Sequence, residues 1–473
     1  MTTATTSLGS NPLLRTDSYK VSHWLQYPPG AGRVHSYIES RGGAFPATVF
    51  FGLQAYLKDY LSQPVLKEHV DEAEEMFAAH GEPFNRQGWD LLIERHGGYM
   101  PIEIRSVAEG TVVATGNPLL TIENTDPDFF WLPSYLETEI LRAVWYPTTV
   151  ASLSAAAKLK ILDYLDTTCD DPAGQIGFKL HDFGARGVSS LESAALGGMA
   201  HLVNFLGTDT VIALRAARKY YGAQMAGFSI PAAEHSTITS WGKEGEAEAY
   251  RNMLRQFAKP GSIVAVVSDS YDIYNACDKI WGQELRLAVI DSGATVVIRP
   301  DSGEPREVVL RVAQILGERF GTTTNAKGYK VLNHVRIIQG DGINLVSLEE
   351  CLANLKAHGF SAENIAFGMG GGLLQQVNRD TLRFAMKCSA MEVGGQWRDV
   401  YKQPIGDATK ASKKGHFALV EDDGQLITVS RGADQAVPGD LLVPVYRNGR
   451  ILRETSFEEV RARAAQGLGR MRG

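Results

Sequence analysis

The sequence predicts an α/β protein: a (β/α) barrel with an accessory, mainly β domain built from both chain ends. Three observations predict it. Between Gly177 and Leu374, short apolar runs repeatedly end in polar or glycine residues and give way to helix-like stretches, as in a parallel sheet. The flanking segments instead alternate apolar and polar residues with period two. Finally, 473 residues at 44% hydrophobic exceed one core, since single cores stop growing near ~250–300 residues.

On the N-terminal side, Arg33-Val-His-Ser-Tyr-Ile-Glu-Ser40 alternates as a strand, and Pro101 to Gly110 and Thr111 to Glu123 read as strands joined by a Glu-Gly turn. Seven units follow. Phe178-Lys-Leu leads to His181-Asp-Phe-Gly-Ala-Arg-Gly187, Leu202-Val-Asn-Phe to Gly207-Thr-Asp, and Gly227-Phe-Ser-Ile to Pro231-Ala-Ala-Glu-His-Ser236. Ile263-Val-Ala-Val-Val leads to Ser268-Asp-Ser-Tyr-Asp272, Thr295-Val-Val-Ile to Arg299-Pro-Asp-Ser-Gly303, Val335-Arg-Ile-Ile to Gln339-Gly-Asp-Gly342, and Asn364-Ile-Ala-Phe to Gly368-Met-Gly-Gly-Gly372. Between them Val211 to Tyr220, Lys243 to Phe257, Pro305 to Phe320 and Ser347 to His358 carry helical spacing. Seven units and one further strand approach the eight of a (β/α)8 barrel, whose active site lies at the C-terminal strand ends. A doubly wound open sheet satisfies the same pattern. Near the far end, His416-Phe-Ala-Leu-Val and Gln425-Leu-Ile-Thr-Val flank Asp422-Asp-Gly424, a hairpin signal. The boundaries read as 1–150 for the first part of the accessory domain, 151–390 for the barrel and 391–473 for the segment completing the accessory domain.

Composition excludes several classes. Lys plus Arg is 47 against 54 Asp plus Glu, a net charge of −7, which disfavours nucleic acid as a partner. The four cysteines form no C-x-x-C pair, so neither a zinc motif nor a redox motif is read, and a reduced, cytoplasmic setting is expected. Met1 to Ser10 has no basic and apolar succession, so no signal peptide is expected, and no apolar stretch reaches the ~20 residues of a membrane helix.

Six of the seven run ends carry Asp, Glu, His or Arg, and the seventh carries glycines. Gly368 to Gly372 permits backbone N–H groups to approach a phosphate, although a glycine run also serves as a tight turn. Arg379 and Lys387 add positive charge downstream. Asp272, Asp301 and Asp341 suit a polyphosphate bound with Mg²⁺, and each alone is equally a helix N-cap. His235 is suited to shuttle or accept a charged group, with Asp272 a candidate to orient it.

Thr16-Asp-Ser-Tyr-Lys20, His181 to Ser190, Gly207 to Thr210, Pro231 to Thr237, Ser268 to Ala276, Arg299 to Gly303, Gln339 to Gly342, Gly368 to Leu374 and Ser412-Lys-Lys-Gly415 together resemble the nicotinamide phosphoribosyltransferases, of the type II phosphoribosyltransferase family. The short Gly42-Gly-Ala-Phe-Pro after Arg41 points to a bacterial-type member. The resemblance implies a homodimer with a distorted barrel, active sites at the subunit interface, and transfer of phosphoribosyl from phosphoribosyl pyrophosphate to nicotinamide in NAD salvage. It implies that Phe183 stacks on the pyridine ring and that Tyr19 from the second subunit covers the other face. Asp209 would bind the carboxamide, with Ser229 among the substrate contacts. Arg186, Arg299 and Asp301 would hold the base and phosphoribosyl portion, and Gly340, Asp341, Gly370, Gly371 and Arg379 the ribose and 5′-phosphate. Arg41, Lys387, Lys402 and Lys410 would meet pyrophosphate or ATP phosphates. His235 would be transiently phosphorylated by ATP with Asp272 beside it, and Mg²⁺ would ride mainly on substrate phosphates, with Asp272 or Asp301 as protein ligand. A carboxylate at Asp209 disfavours the base carboxylate of the nearest rival reading, a nicotinate or quinolinate phosphoribosyltransferase.

Overall fold

The computed structural model describes residues 9–402 and 412–472. The chain divides into two compact units: residues 1–152, 219–223 and 378–473 form one, and residues 153–218 and 224–377 the other. The division falls inside the helix Glu137–Thr168. Residues 378–390, assigned to the barrel from sequence, fall in the first unit, because Phe384–Val393 pairs with Ala31–Ser40 along most of its length.

The first unit is built on a seven-stranded antiparallel sheet. Its order is Gln396–Asp399, Phe384–Val393, Ala31–Ser40, Pro118–Asn124, Ile102–Ser106, Val443–Arg447 and Arg450–Ile451. Both chain ends therefore interleave in one sheet. Ala31–Ser40 shows why alternation alone is an incomplete guide. It is central, and seven successive residues from Val34 are buried, including His35, Ser36, Glu39 and Ser40. One face packs on a core that includes Trp89, Phe129, Tyr446 and the helices Lys67–His80 and Arg86–His96. The hairpin His416–Asp422 with Gln425–Arg431 forms its own two-stranded sheet. Its turn uses Asp423 and Gly424, both at positive φ, as a two-residue primed turn requires.

The second unit is a ring of parallel strands. Six pair in the order Gly207–Thr208, Leu180–Asp182, Ile365–Met369, Val335–Gln339, Thr295–Arg299 and Ile263–Val267. The segment 228–232 closes the ring through bridges Gly207↔Phe228 and Ala232↔Ala265. Closure excludes the open doubly wound sheet. The ring has seven positions, and no eighth parallel strand joins it among the described residues. The long strands are β-branched and buried, as in Ile-Val-Ala-Val-Val at 263–267. The helix Pro305–Phe320 starts on a proline and buries Val308, Val309, Val312, Ala313 and Leu316 at three- and four-residue spacing. Leu202-Val-Asn-Phe is not a strand. Asn204 and Phe205 N–H groups donate to the His201 carbonyl, so this run finishes the helix Leu191–His201. It is apolar because the turn is buried. No helix of the described residues is long and apolar enough to cross a membrane.

Candidate active site

All seven ring positions direct residues to the same end, where the loops following the strands begin. Phe183 follows Leu180–Asp182, and its N–H donates to the Met369 carbonyl at 3.0 Å. Its half-buried ring packs against the barrel-interior cluster of Ala265, Val297 and Ile338. The ring lies directly over glycine: a Cβ at Gly368 would stand 2.0 Å from it, and one at Gly340 would stand 3.2 Å away. These two glycines therefore admit the ring, a role beyond turn formation. The Arg299 guanidinium lies 5.7 Å from the ring centroid.

Beside Phe183, Asp182 is buried and accepts from the Gly184 N–H at 2.7 Å and the Thr208 hydroxyl at 3.3 Å. Burial pushes its carboxyl up despite these bonds. The Asp182 carbonyl takes the Asp209 N–H at 3.0 Å, which fixes Asp209 next to the Phe183 strand end. The exposed Asp209 carboxylate receives the Ser229 hydroxyl on Oδ1 at 2.7 Å. Phe183, Asp209 and Ser229 thus come from three neighbouring ring positions.

A second group forms on the other strands. Arg299, the last residue of its strand, makes a fork onto Asp301, with Nε 3.1 Å from Oδ1 and Nη2 2.7 Å from Oδ2. The Asp301 N–H donates to Asp269 Oδ2 at 3.1 Å, and His235 Nε2 stands 2.8 Å from Asp269 Oδ1. His235 is 47% exposed, whereas the Asp269 side chain is 4% exposed. The expected orienting partner was Asp272. Its Oδ1 instead accepts from the Tyr274 and Asn275 N–H groups, both at 3.0 Å, as the N-cap of Ile273–Asn275. Asp269 takes the place beside His235 because it comes directly after the strand Ile263–Val267 and its flanking Ser268, whereas Asp272 is already committed to the next helix. The first carboxylate after the strand was the signal that would have found it.

The glycine loop after Ile365–Met369 enters the four-residue helix Gly371–Leu374, close to the turn Ala185–Gly187 that carries the exposed Arg186. Gly340 and the exposed Asp341 follow Val335–Gln339, and the Gln339 amide donates to the Asp341 carbonyl at 3.0 Å.

The remaining candidates lie in the first unit. Tyr19 is 55% exposed in the 3-10 helix Ser18–Leu25. Burial lowers the Lys387 ammonium, and the charges of Arg41, Lys20 and Arg379 lower it further against Glu137, so these four cations form one basic neighbourhood. Lys20, not singled out from sequence, belongs to it. Arg41 bonds Glu39 at 3.1 Å, and Arg379 bonds Asp380 at 3.1 Å. Lys402 is exposed, and Lys410 lies outside the described residues.

A parallel ring with an aromatic platform, an arginine–carboxylate fork and a glycine loop at one end defines a phosphoribosyltransferase, a pentosyl-transferring enzyme. The comparisons agree on the fold. A nicotinate-nucleotide pyrophosphorylase from Pyrococcus furiosus superposes with a TM-score of 0.63 at 15% identity, covering 100% of both chains. Human nicotinic acid phosphoribosyltransferase superposes at 0.62 and 16% identity, covering 96% of this chain and 94% of that one. In sequence, residues 178–449 match the nicotinate phosphoribosyltransferase (NAPRTase) family, and residues 11–104 match the nicotinamide phosphoribosyltransferase N-terminal domain. A nicotinamide phosphoribosyltransferase of Xanthomonas campestris pv. campestris is 59% identical over 461 residues, covering 96% of this chain and 98% of that protein. One from Acinetobacter baylyi is 31% identical, covering 97% and 98%. The chain belongs to the nicotinamide phosphoribosyltransferase family.

Proposed function

We propose that this enzyme joins nicotinamide to the phosphoribosyl group of phosphoribosyl pyrophosphate, giving nicotinamide mononucleotide and pyrophosphate for NAD salvage. The observation that carries the choice of base is the exposed Asp209 carboxylate, fixed beside Phe183 and oriented by Ser229. It accepts from a carboxamide NH₂ and repels the carboxylate of nicotinate, a like-charge contact costing several kcal/mol.

The pyridine nitrogen lone pair forms the bond to ribose C1 while the C1–oxygen bond breaks, and that electron pair leaves on pyrophosphate. No general base is needed, because the attacking nitrogen carries no proton. Phe183 on one face and Tyr19 of the partner subunit on the other stabilise the ring as its nitrogen becomes cationic. Arg186 and the Arg299–Asp301 fork hold the base and sugar. Gly340, Asp341, Gly370, Gly371 and Arg379 hold the ribose and 5′-phosphate. Arg41, Lys387, Lys402 and Lys410 serve the remaining phosphates.

His235 takes the γ-phosphoryl group of ATP and releases ADP. With the Asp269 carboxylate accepting at Nε2, the proton sits on that nitrogen and Nδ1 keeps the lone pair that attacks phosphorus. Hydrolysis of the phosphohistidine then favours product formation outside the net transfer.

The strand-end carboxylates fit a cation carried in on the substrate. Asp301 is engaged by Arg299, Asp269 by His235 and a backbone N–H, and Asp272 by its helix. Mg²⁺, bound through pyrophosphate oxygens, would supply charge neutralisation on the leaving group.

The test is product formation from phosphoribosyl pyrophosphate and Mg²⁺ with nicotinamide or nicotinate, with and without ATP. Strong preference for nicotinamide, stimulated by ATP and narrowed by Asp209→Asn, is expected. Preference for nicotinate would overturn the base assignment.

A further inference from the structure

The first unit holds a second imidazole–carboxylate group that takes no part in the reaction above. We propose that His35, Glu123 and His416 form a structural binding site for a first-row divalent cation of zinc-like preference. His35 and Glu123 stand directly opposite each other on Ala31–Ser40 and Pro118–Asn124, with Nδ1 3.0 Å from Oε2. His416 begins the hairpin strand and brings Nε2 to 3.5 Å from the same oxygen. One ligand atom from each residue lies within 4.8 Å of the other two. Ligands ~2.0–2.1 Å from a tetrahedral ion stand about 3.3 Å apart, between the two measured separations. Among the described residues, this is the one group of three such side chains that meets the distance requirement.

An independent observation points to a ligand. Both imidazoles are nine-tenths or more buried, and His416 Nε2, the atom that faces Glu123, has no hydrogen-bond partner among the described residues. A buried polar atom without a partner is costly, and a bound cation would satisfy it. The surroundings suit a cation despite nearby arginines. Arg33 lies 3.6 Å from Glu123 Oε1, on the oxygen away from the imidazoles, and is also engaged by Glu392 and Asp434. Arg431 is directed to backbone carbonyls of residues 417 and 433. Trp397 sets its ring edge-on to His416 at 4.4 Å, closing one side. Glu123 and His35 border a cavity of about 540 Å³. Two imidazoles and one carboxylate select zinc or a neighbouring transition ion over Mg²⁺.

The site has a structural purpose. The hairpin His416–Asp422 with Gln425–Arg431 shares no ladder with the seven-stranded sheet. A cation held by His416, His35 and Glu123 would staple the hairpin to the two central strands.

The untagged full chain is stripped with chelator, dialysed against Zn²⁺, gel-filtered and assayed for bound metal. About one zinc per chain is expected, with at least a tenfold drop in Glu123→Gln and His416→Gln. Co²⁺ should give visible d–d bands without thiolate charge transfer. Metal content no higher in the parent than in folded variants would overturn the proposal, as would a Co²⁺ spectrum showing cysteine ligation. Should both variants fail to fold, the stoichiometry and Co²⁺ spectrum of the parent decide alone.

Discussion

His235 stands 2.8 Å from Asp269 and His35 stands 3.0 Å from Glu123, yet 47% of the first imidazole meets solvent against 2% of the second. The two pairs are chemically alike and differ in what encloses them. At the ring's strand ends, the carboxylate is buried and the imidazole projects outward, so one ring nitrogen is held while the other faces an incoming group. In the antiparallel sheet both rings are enclosed, and burial pushes His35 toward its neutral form despite its bond to Glu123. An exposed pair can act on a substrate, whereas an enclosed pair can act only on the fold or on an ion small enough to enter.

The sharpest way to break this comparison is to remove each imidazole. His235→Ala should abolish ATP stimulation, with some unstimulated transfer remaining and the melting temperature nearly unchanged. Full ATP stimulation in that variant would sink the phosphohistidine role. His35→Ala should do the reverse, costing about 2–4 kcal/mol of stability by opening a cavity and unpairing Glu123, read from denaturant unfolding.

Exchanging the carboxylates tests the correction at His235. Asp269→Asn should reduce ATP stimulation by roughly tenfold or more, because the neutral amide stabilises an imidazolium poorly. Asp272→Asn should change stability by only a few tenths of a kcal/mol, since Asn caps a helix about as well as Asp. Equal loss of ATP stimulation in both would return Asp272 to the site.

A smaller effect is expected under the aromatic platform. Gly368→Ala places a methyl group where the Phe183 ring lies. It should lift the ring, raise the KM for nicotinamide, and cost about 1–3 kcal/mol. An unchanged KM would separate ring position from base binding.

A pH-dependent effect is expected at a buried lysine far along the chain from either histidine. Burial, with Arg336 adding to it, lowers Lys179 to about 7. Its folded pKa is below its unfolded value, so its contribution is full above the unfolded pKa and is lost as pH falls toward 7. Lys179→Met should therefore stabilise the protein most near pH 7, by roughly 1–2 kcal/mol in unfolding free energy after loss of the bond to the Glu363 carbonyl, and the gain should fade toward pH 10. A pH-independent gain would show that packing, not charge, is the cause.

Much of this protein was legible before any coordinates. Ile263–Val267, Thr295–Arg299 and Val335–Gln339 are read from short apolar runs rich in Val and Ile, and Pro305–Phe320 from its spacing. The hairpin at Asp423-Gly424 follows from turn chemistry. Candidate side chains are read at strand ends because parallel units expose their residues there. Those are local properties, written in consecutive residues.

What the sequence could not decide depends on chain segments distant in sequence. Leu202 to Phe205 is apolar in either a strand or a buried helix end, and only its hydrogen bonds to His201 choose. Seven ring positions rather than eight follow from the 228–232 segment bridging both edges. Asp269 lies 34 residues from His235, and it rather than the expected Asp272 meets the imidazole because the next helix claims Asp272. His35, Glu123 and His416 are separated by 88 residues and then by nearly 300, so no spacing rule joins them. Strand pairing across the two chain ends brings them within reach, because hydrogen-bonded register fixes neighbours that sequence distance does not.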